Sequence, residues 1–264
     1  MPGSADRRMA EDRSPAGMIV ASGVHRSFGA LTAVSDVSFR LPAGRIVGLV
    51  GSDGAGKTTL LRMLATMLVP SSGTIRVGGL DVVRERSGVK GMIGYMPQRF
   101  GLYQDLTVAE NLDFFMDIYG ITGAERRRRR ERYLGFSNLL AFTDRRAGDL
   151  SGGMKQKLGL ACVLVHEPRV LILDEPTNGV DPVSRQEFWQ ILAEMKQSGM
   201  TILVSTAYLD EGERCDRLLL MHNARILADA APAEVRAEFA SLEEAMIQRI
   251  RAVDAALTED AFGR

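Results

Sequence analysis

Short apolar runs bounded by glycine, proline and polar turns recur along the chain and have the length and composition of β-strands. They cover residues 18–26, 33–41, 45–50, 74–77, 92–98, 170–175, 201–205, 217–221 and 225–229. Longer segments between them, such as 59–67 and 150–166, have helical composition. This alternation predicts an α/β fold in which helices flank a mixed sheet.

The middle of the chain carries a clear helix-start signal. Thr107 and Glu110 have the spacing of a capping box, and apolar residues follow at helical intervals from Val108 to Tyr119. We expect an inserted α-helical subdomain at about residues 99–166. A second amphipathic pattern begins after Ser241 and predicts a tail helix that packs on the body.

Residues 51–59 read Gly-Ser-Asp-Gly-Ala-Gly-Lys-Thr-Thr and match the phosphate-loop pattern at every fixed position. A strand precedes them and a helix follows, which is the context this motif requires and which disfavours a simple turn with a solvated lysine. Backbone N–H groups and the helix N-terminus favour an anion there. Lys57 adds a charge at the β/γ position, and the Thr58 hydroxyl suits Mg²⁺. The expected phosphate contacts are Gly51, Ser52, Asp53, Gly54, Ala55, Gly56, Lys57, Thr58 and Thr59.

Two adjacent carboxylates end the most apolar run of the chain. Residues 170–173 lie between Pro168 and Pro176, a segment too short for a helix, so they read as a buried parallel strand. The carboxyl ends of such strands are where α/β sheets bind ligands. We therefore expect Asp174 to hold the Mg²⁺ that Thr58 ligates, and Glu175 to position or deprotonate a water.

Composition limits the classes of protein to consider. A hydrophobic content of 45% in 264 residues excludes general disorder, and 33 basic against 33 acidic residues give no electrostatic case for a nucleic-acid partner. Cys162 and Cys215 have no partner spacing, which favours reduced thiols. No apolar run approaches the roughly 18 to 20 residues that span a bilayer. We expect a chain that is soluble by itself.

The two ends differ in composition from the body. Residues 1–17 are polar and rich in small residues, so we expect a mobile leader. The main domain is expected over residues 18–230, and a C-terminal helical tail over 231–264.

Two features allow alternative interpretations. Phe28 follows the first strand and precedes Gly29, a position that suits either stacking on a nucleotide base or core filling. Residues 126–130 are five successive arginines, a pattern that is typical of a solvated helix face and less often of a surface for anionic lipid or nucleic acid.

The order of these motifs resembles that of the ATP-binding cassette family over about residues 18–229. The phosphate loop comes first, and Gln98 stands at the position of the family's glutamine loop. The signature follows at Leu150-Ser-Gly-Gly-Met154, then Asp174-Glu175, then the D-loop at Asn178-Gly-Val-Asp181. Other phosphate-loop NTPases do not share this order, so the resemblance implies a phosphate-loop NTPase core with the helical insert.

The resemblance implies specific roles for these residues. Phe28 would stack on adenine, and Gln98 would join Thr58 and Asp174 at Mg²⁺ and support catalysis by Glu175 and Lys57. Two cassettes would close face to face on ATP. Ser151, Gly152 and Gly153 of one cassette would then contact the γ-phosphate bound by the other, with Asp181 at the same junction.

Two positions depart from the family pattern. Met154 replaces the usual glutamine, a tolerated change because backbone N–H groups and Ser151 make the phosphate contact. Ala207 stands where the family usually has the switch histidine, and none of the chain's histidines is an obvious substitute. This second departure leaves open a slow or non-hydrolysing, ATP-gated module.

The stretches 100–112 and 174–182 resemble ATPases of exporters with small, two-subunit membrane parts that move drugs, lipids or antibiotics. We therefore expect an ATPase peripheral to the cytoplasmic face of the cell membrane. Its expected partners are a separate transmembrane permease subunit and a second cassette, identical or homologous. A soluble, non-transport cassette ATPase is the other alternative, although this chain shows neither two cassettes nor long heptad arms.

Overall fold

The computed structural model describes residues 17–237 and 239–262 of the chain, so the expected leader lies, apart from Gly17, outside the described residues. The strands are β1 Ile19–Phe28, β2 Leu31–Leu41, β3 Ile46–Val50, β4 Ser72–Val77, β5 Leu80–Asp81, β6 Ile93–Met96, β7 Val170–Asp174, β8 Thr201–Thr206, β9 Arg217–His222 and β10 Arg225–Ala230. The helices are α1 Lys57–Leu64, α2 Arg86–Met92, α3 Val108–Ile118, α4 Gly123–Phe136, α5 Gly152–Leu164, α6 Pro182–Gln197, α7 Leu209–Gly212, α8 Pro232–Arg236 and α9 Leu242–Phe262.

The strands form two sheets. A small antiparallel sheet has the order β2-β1-β4-β5, and a larger one has the order β10-β9-β3-β8-β7-β6. In the larger sheet the five strands from β9 to β6 run parallel and β10 pairs antiparallel at the edge. The α/β class with a mixed sheet is thereby confirmed.

The larger sheet is covered on both faces, as the side chains of β3 show. Val47 and Leu49 enter a core shared with α1 and the small sheet, whereas Ile46 and Val50 enter a core shared with the helical insert and α6. Alternate residues of one strand thus point into opposite cores. A strand buried on both faces needs continuous apolar sequence, which is what β3, β7 and β8 have.

The first helix ends earlier than its pattern predicted. The sequence suggested residues 59–67, but α1 runs from Lys57 to Leu64. It begins directly after Gly56, and Thr66 adopts a positive φ of 61°, which no continuing helix allows. The shift matters because it puts Lys57 and Thr58 in the first turn, next to the phosphate loop.

The helical insert contains α3, α4 and α5. The predicted capping box is present: Glu110 N–H donates to Thr107 Oγ1 at 3.2 Å, and Thr107 N–H donates to Glu110 Oε2 at 2.8 Å. The arginine run lies on α4, where most of its guanidinium groups, and that of Arg132, pair with carboxylates of this chain. The pairs are Arg126 with Asp113 and Asp117, Arg128 and Arg129 with Glu125 and Glu167, Arg130 with Asp113, and Arg132 with Glu167.

The tail helix α9 starts on the body of the protein. Leu242 and Ala245 are buried in the core that also holds β3 and the insert. Farther along, Asp254 accepts a hydrogen bond from Asn223 at the turn between β9 and β10. Within the described residues, no helix combines the length and apolar character needed to cross a membrane.

Candidate nucleotide-binding site

The loop between β3 and α1 is shaped by close backbone approaches. Gly56 has a φ of 105°, and a Cβ there would lie 2.1 Å from the Ala33 carbonyl oxygen. A Cβ at Gly51 would lie 2.1 Å from the Met221 carbonyl oxygen. Side chains at either position would therefore push the loop away from β2 and β9. Ser52, Asp53 and Gly54 form the exposed crest of the loop.

Lys57 lies at the mouth of this loop with only 4% of its surface exposed. Its Nζ donates to the carbonyl oxygens of Gly51 at 2.7 Å and Ser52 at 3.1 Å, and pairs with Glu175 Oε1 at 3.2 Å. A buried ammonium group needs an anion, and here the Glu175 carboxylate supplies it. That carboxylate stands in for an anionic ligand of the loop, so the site fits a phosphate.

Oxygen atoms converge next to the lysine. Thr58 Oγ1 donates to Asp174 Oδ1 at 3.1 Å, and Ser205 Oγ donates to the same oxygen at 2.9 Å. Asp174 is 1% exposed. A hydroxyl and a carboxylate at the end of a buried strand are the hard oxygen ligands that Mg²⁺ prefers. The donor set therefore fits the metal that the sequence predicted.

Glu175 leaves the strand in an unusual conformation. Its φ is 48°, which is left-handed and disfavoured for a residue with a side chain. Ser205 holds it there, accepting hydrogen bonds from Glu175 N–H at its carbonyl oxygen (3.2 Å) and its Oγ (3.0 Å). Gln98 Nε2 donates to Glu175 Oε2 at 2.9 Å. Residues distant in sequence thus join at one carboxylate beside Lys57.

Sequence reasoning missed two residues of this site. Ser205 lies in an apolar strand, and the parallel register pairs it with Asp174. Tyr95 lies on β6 opposite Ile172, on the face of β7 that also carries Asp174. Burial, together with the charge of Asp174, raises the pKa of Tyr95. The available signal was a polar residue near the carboxyl end of each predicted strand.

Phe28 is the last residue of β1 and is 45% exposed, which excludes core filling. The Arg26 guanidinium lies 4.5 Å from the centroid of its ring. One face of the ring is thus covered by a cation, and a large part of the ring remains accessible.

The signature residues at the start of α5 lie against the D-loop residues at the start of α6. Ser151 caps α5 by accepting from Met154 N–H at 3.3 Å, and Asp181 caps α6 by accepting from Ser184 N–H at 2.9 Å. A Cβ at Gly153 would lie 2.4 Å from Ser184, so the two helix starts are in contact. In the described part of the chain, no hydrogen bond or ion pair joins Ser151 or Asp181 to Lys57.

The site combines a glycine-rich loop and its buried lysine with oxygen ligands suited to a metal ion at the end of a parallel strand. This combination defines a phosphate-loop nucleotide-binding protein. The match to known proteins is more specific. Residues 34–178 match the family model described as ABC transporter, and the chain belongs to this family. The resemblance drawn from the motif order is thereby confirmed.

Several curated relatives are transporter or export proteins by name. The chain is 50% identical over 217 residues to the probable multidrug ABC transporter ATP-binding protein YbhF of Escherichia coli (strain K12), covering 81% of this chain but 38% of that protein. It is 41% identical to the Nod factor export ATP-binding protein I of Paraburkholderia xenovorans (strain LB400), covering 79% and 69%. A solved ATP-binding subunit of an ABC transporter has a TM-score of 0.79 at 30% identity, covering 88% of this chain and 99% of that one.

Proposed function

We propose that this chain binds and hydrolyses ATP with Mg²⁺ and thereby drives an exporter. The observation that carries the proposal is the cluster at the loop mouth, where Lys57 and Gln98 each contact the Glu175 carboxylate. The names of the relatives, which include a probable multidrug ABC transporter ATP-binding protein and a Nod factor export protein, support transport over a soluble, non-transport role.

The ion pair between Lys57 and Glu175 suggests how binding prepares catalysis. Lys57 can satisfy its charge with either the carboxylate or the β/γ-phosphates of ATP, so binding would release Glu175 from the lysine. Glu175 would then accept a proton from the attacking water, while Gln98 keeps it oriented. Thr58, Asp174 and Gln98 would hold Mg²⁺, which neutralises phosphate charge when bound.

The remaining predicted site residues would contact the adenine base and the second cassette. Phe28 would stack on adenine with its accessible face. The exposed Ser151 and Gly152 at the start of α5 would contact the γ-phosphate bound by a second cassette, with Asp181 beside them. A separate transmembrane permease would hold the chain at the cytoplasmic face of the cell membrane.

The substitution Glu175→Gln tests the catalytic assignment, because the amide keeps the shape but not the basicity of the carboxylate. We expect hydrolysis to fall by roughly 10²-fold or more. ATP should still bind and accumulate a closed dimer, visible as faster sedimentation with ATP. Glu213→Gln is the matched control, since Glu213 is an exposed carboxylate paired with Arg236. An unchanged rate in Glu175→Gln contradicts the assignment.

A further inference from the structure

Glu211 is a buried acidic residue outside the site described above. It lies on the short helix α7 and is 1% exposed. Its Oε1 accepts from Thr177 Oγ1 at 2.7 Å and pairs with Arg185 Nε at 3.3 Å. Its Oε2 accepts from Thr206 Oγ1 at 2.6 Å. Both oxygens are therefore occupied by partners from other segments of the chain.

These partners belong to three segments that bound the proposed site. Thr177 lies two residues after Glu175, and Thr206 directly precedes Ala207. Arg185 lies in the first turn of α6, whose N-cap is Asp181. One carboxylate thus links the loop after β7, the loop after β8 and the start of α6.

Further contacts bind the loop after β8 to the same cluster. Tyr208 N–H donates to Thr206 Oγ1 at 3.0 Å, so that hydroxyl holds both Glu211 and the backbone. The Arg185 guanidinium lies 4.5 Å from the centroid of the Tyr208 ring. The loop is fixed from both sides of Ala207, although the methyl group of Ala207 forms no hydrogen bond.

The chemistry of the cluster makes its stability sensitive to the loss of any single hydrogen bond. A buried carboxylate is stable only while its oxygens accept enough hydrogen bonds, and each lost donor leaves a desolvated lone pair. Moving either loop alone would break at least one of these bonds. The lowest-energy way for one loop to move is therefore with the other loop.

We infer that Glu211 is a positioning residue that clamps the loop carrying Glu175 to the loop carrying Ala207 and to the start of α6. The three segments then move as one unit. The functional part of this inference rests on the proposed hydrolysis of ATP. The mechanical part concerns the chain alone.

Hydrogen exchange of the nucleotide-free protein tests the mechanical part. Thr177→Val removes one hydroxyl at nearly constant volume, and we expect faster exchange in residues 206–212 as well as in its own loop. Thr206→Val should likewise raise exchange in residues 176–181. Thr177→Ser and Thr206→Ser keep the hydroxyl and should exchange as the wild type does. Exchange that rises only in the substituted loop overturns the clamp.

Kinetics test the functional part. Both valine variants should lower kcat by about tenfold or more while the Kd for ATP stays unchanged, because small displacements of catalytic groups reduce rate more than binding. The serine variants should restore kcat. Equal losses in kcat and ATP affinity overturn the positioning role.

Two further comparisons distinguish a failure of the proposed clamp from a failure of the proposed function. If the wild type hydrolyses no more ATP than Lys57→Ala, the proposed function fails, and the exchange experiment still decides the clamp. If Thr177→Val does not fold, Arg185→Met removes the third partner, which is 21% exposed, and carries the same expectation of faster exchange in both loops.

Discussion

Ala207 is the residue that stands where, by the resemblance to the family, a switch histidine is expected. It is exposed directly after β8, between Thr206 and Tyr208, and it offers no donor to a phosphate. We expect the neighbouring groups to compensate in part, since Lys57 and Gln98 both contact the Glu175 carboxylate. At the residue scale we therefore expect a slow ATPase, in which binding and catalysis can be separated by substitution.

The substitution Ala207→His should raise kcat, because one donor aimed at developing charge contributes on the order of 10² to 10³ in rate at well-studied sites. The Kd for ATP should change little, since binding depends mainly on the phosphate loop and Phe28. Ala207→Leu adds bulk without a donor and serves as the control. If the wild type binds ATP but hydrolyses no more than Lys57→Ala, even with its membrane partner, the chain is an ATP-gated module.

The substitution Phe28→Ala should weaken ATP binding by roughly ten- to a hundredfold, the usual contribution of a ring stacked on a base. Binding of inorganic tripolyphosphate should not change, because it has no base to stack. Phe28→Tyr should bind as the wild type does, and Leu31→Ala, 68% exposed near the same turn, is the control. Parallel losses for ATP and tripolyphosphate contradict the stacking role.

At the scale of secondary-structure elements, α4 shows how charge pairing joins helices. Arg126 and Arg130 reach Asp113 on α3, while Arg129 pairs with Glu167 beyond the end of α5. The arginines thus join the helices of the insert. This pairing leaves less positive charge free for an anionic surface than the five-arginine sequence suggests.

Acid should weaken this network. Hydrogen bonds from Arg128 and Arg129 lower the pKa of Glu125 to about 2. For Asp113, burial raises the pKa, but hydrogen bonds from Arg130 and Arg126 outweigh it and the net shift is downward. A carboxylate with a lowered folded pKa stabilises the fold above its unfolded pKa and loses this contribution as pH falls through the folded value.

We therefore expect the thermal midpoint to fall less between about pH 6 and about pH 3 in the double variant Asp113→Asn/Glu125→Gln than in the wild type. Circular dichroism melting curves at the two pH values measure this. Glu131→Gln on the same helix is the control, because Glu131 is exposed. Identical pH dependence in the double variant and the wild type would show that the pairs add nothing to stability.

At the scale of the whole molecule, the insert presents aromatic side chains to solvent. Tyr103 and Phe114 are 48% and 36% exposed, with ring centroids 4.7 Å apart, and Phe115 lies 5.6 Å from Phe114. An exposed aromatic cluster of this kind marks an interaction surface. We propose it as the contact for the membrane subunit, near the loop that carries Gln98.

The double variant Tyr103→Ser/Phe114→Ser should lose co-purification with the membrane subunit, while the isolated chain keeps its ATP hydrolysis. Ile247→Ser, 41% exposed on α9, is the control and should retain the complex. Tight binding of the isolated wild type to neutral liposomes would contradict the need for a separate subunit. Binding only to anionic liposomes would instead implicate the arginines of α4.

Some of this protein could be predicted because its signals are local. The phosphate loop, the capping box at Thr107 and the strand ending at Asp174 each depend on residues within about ten positions of one another. The predicted end of α1 was wrong by a few residues, because the positive φ at Thr66 ends the helix although the segment has helical composition. Helix ends depend on backbone geometry that composition does not encode.

Local patterns in the sequence were enough to predict the α/β class, the order of the motifs and the loop that we expect to bind phosphate, because hydrophobic period and glycine spacing act over short distances. The folded chain was needed to show that Ser205 supports Asp174 and Glu175, that Glu211 contacts three segments, and that most arginines of α4 have carboxylate partners. The physical reason is that these contacts depend on strand order and register. Both follow from how the whole chain packs its two cores.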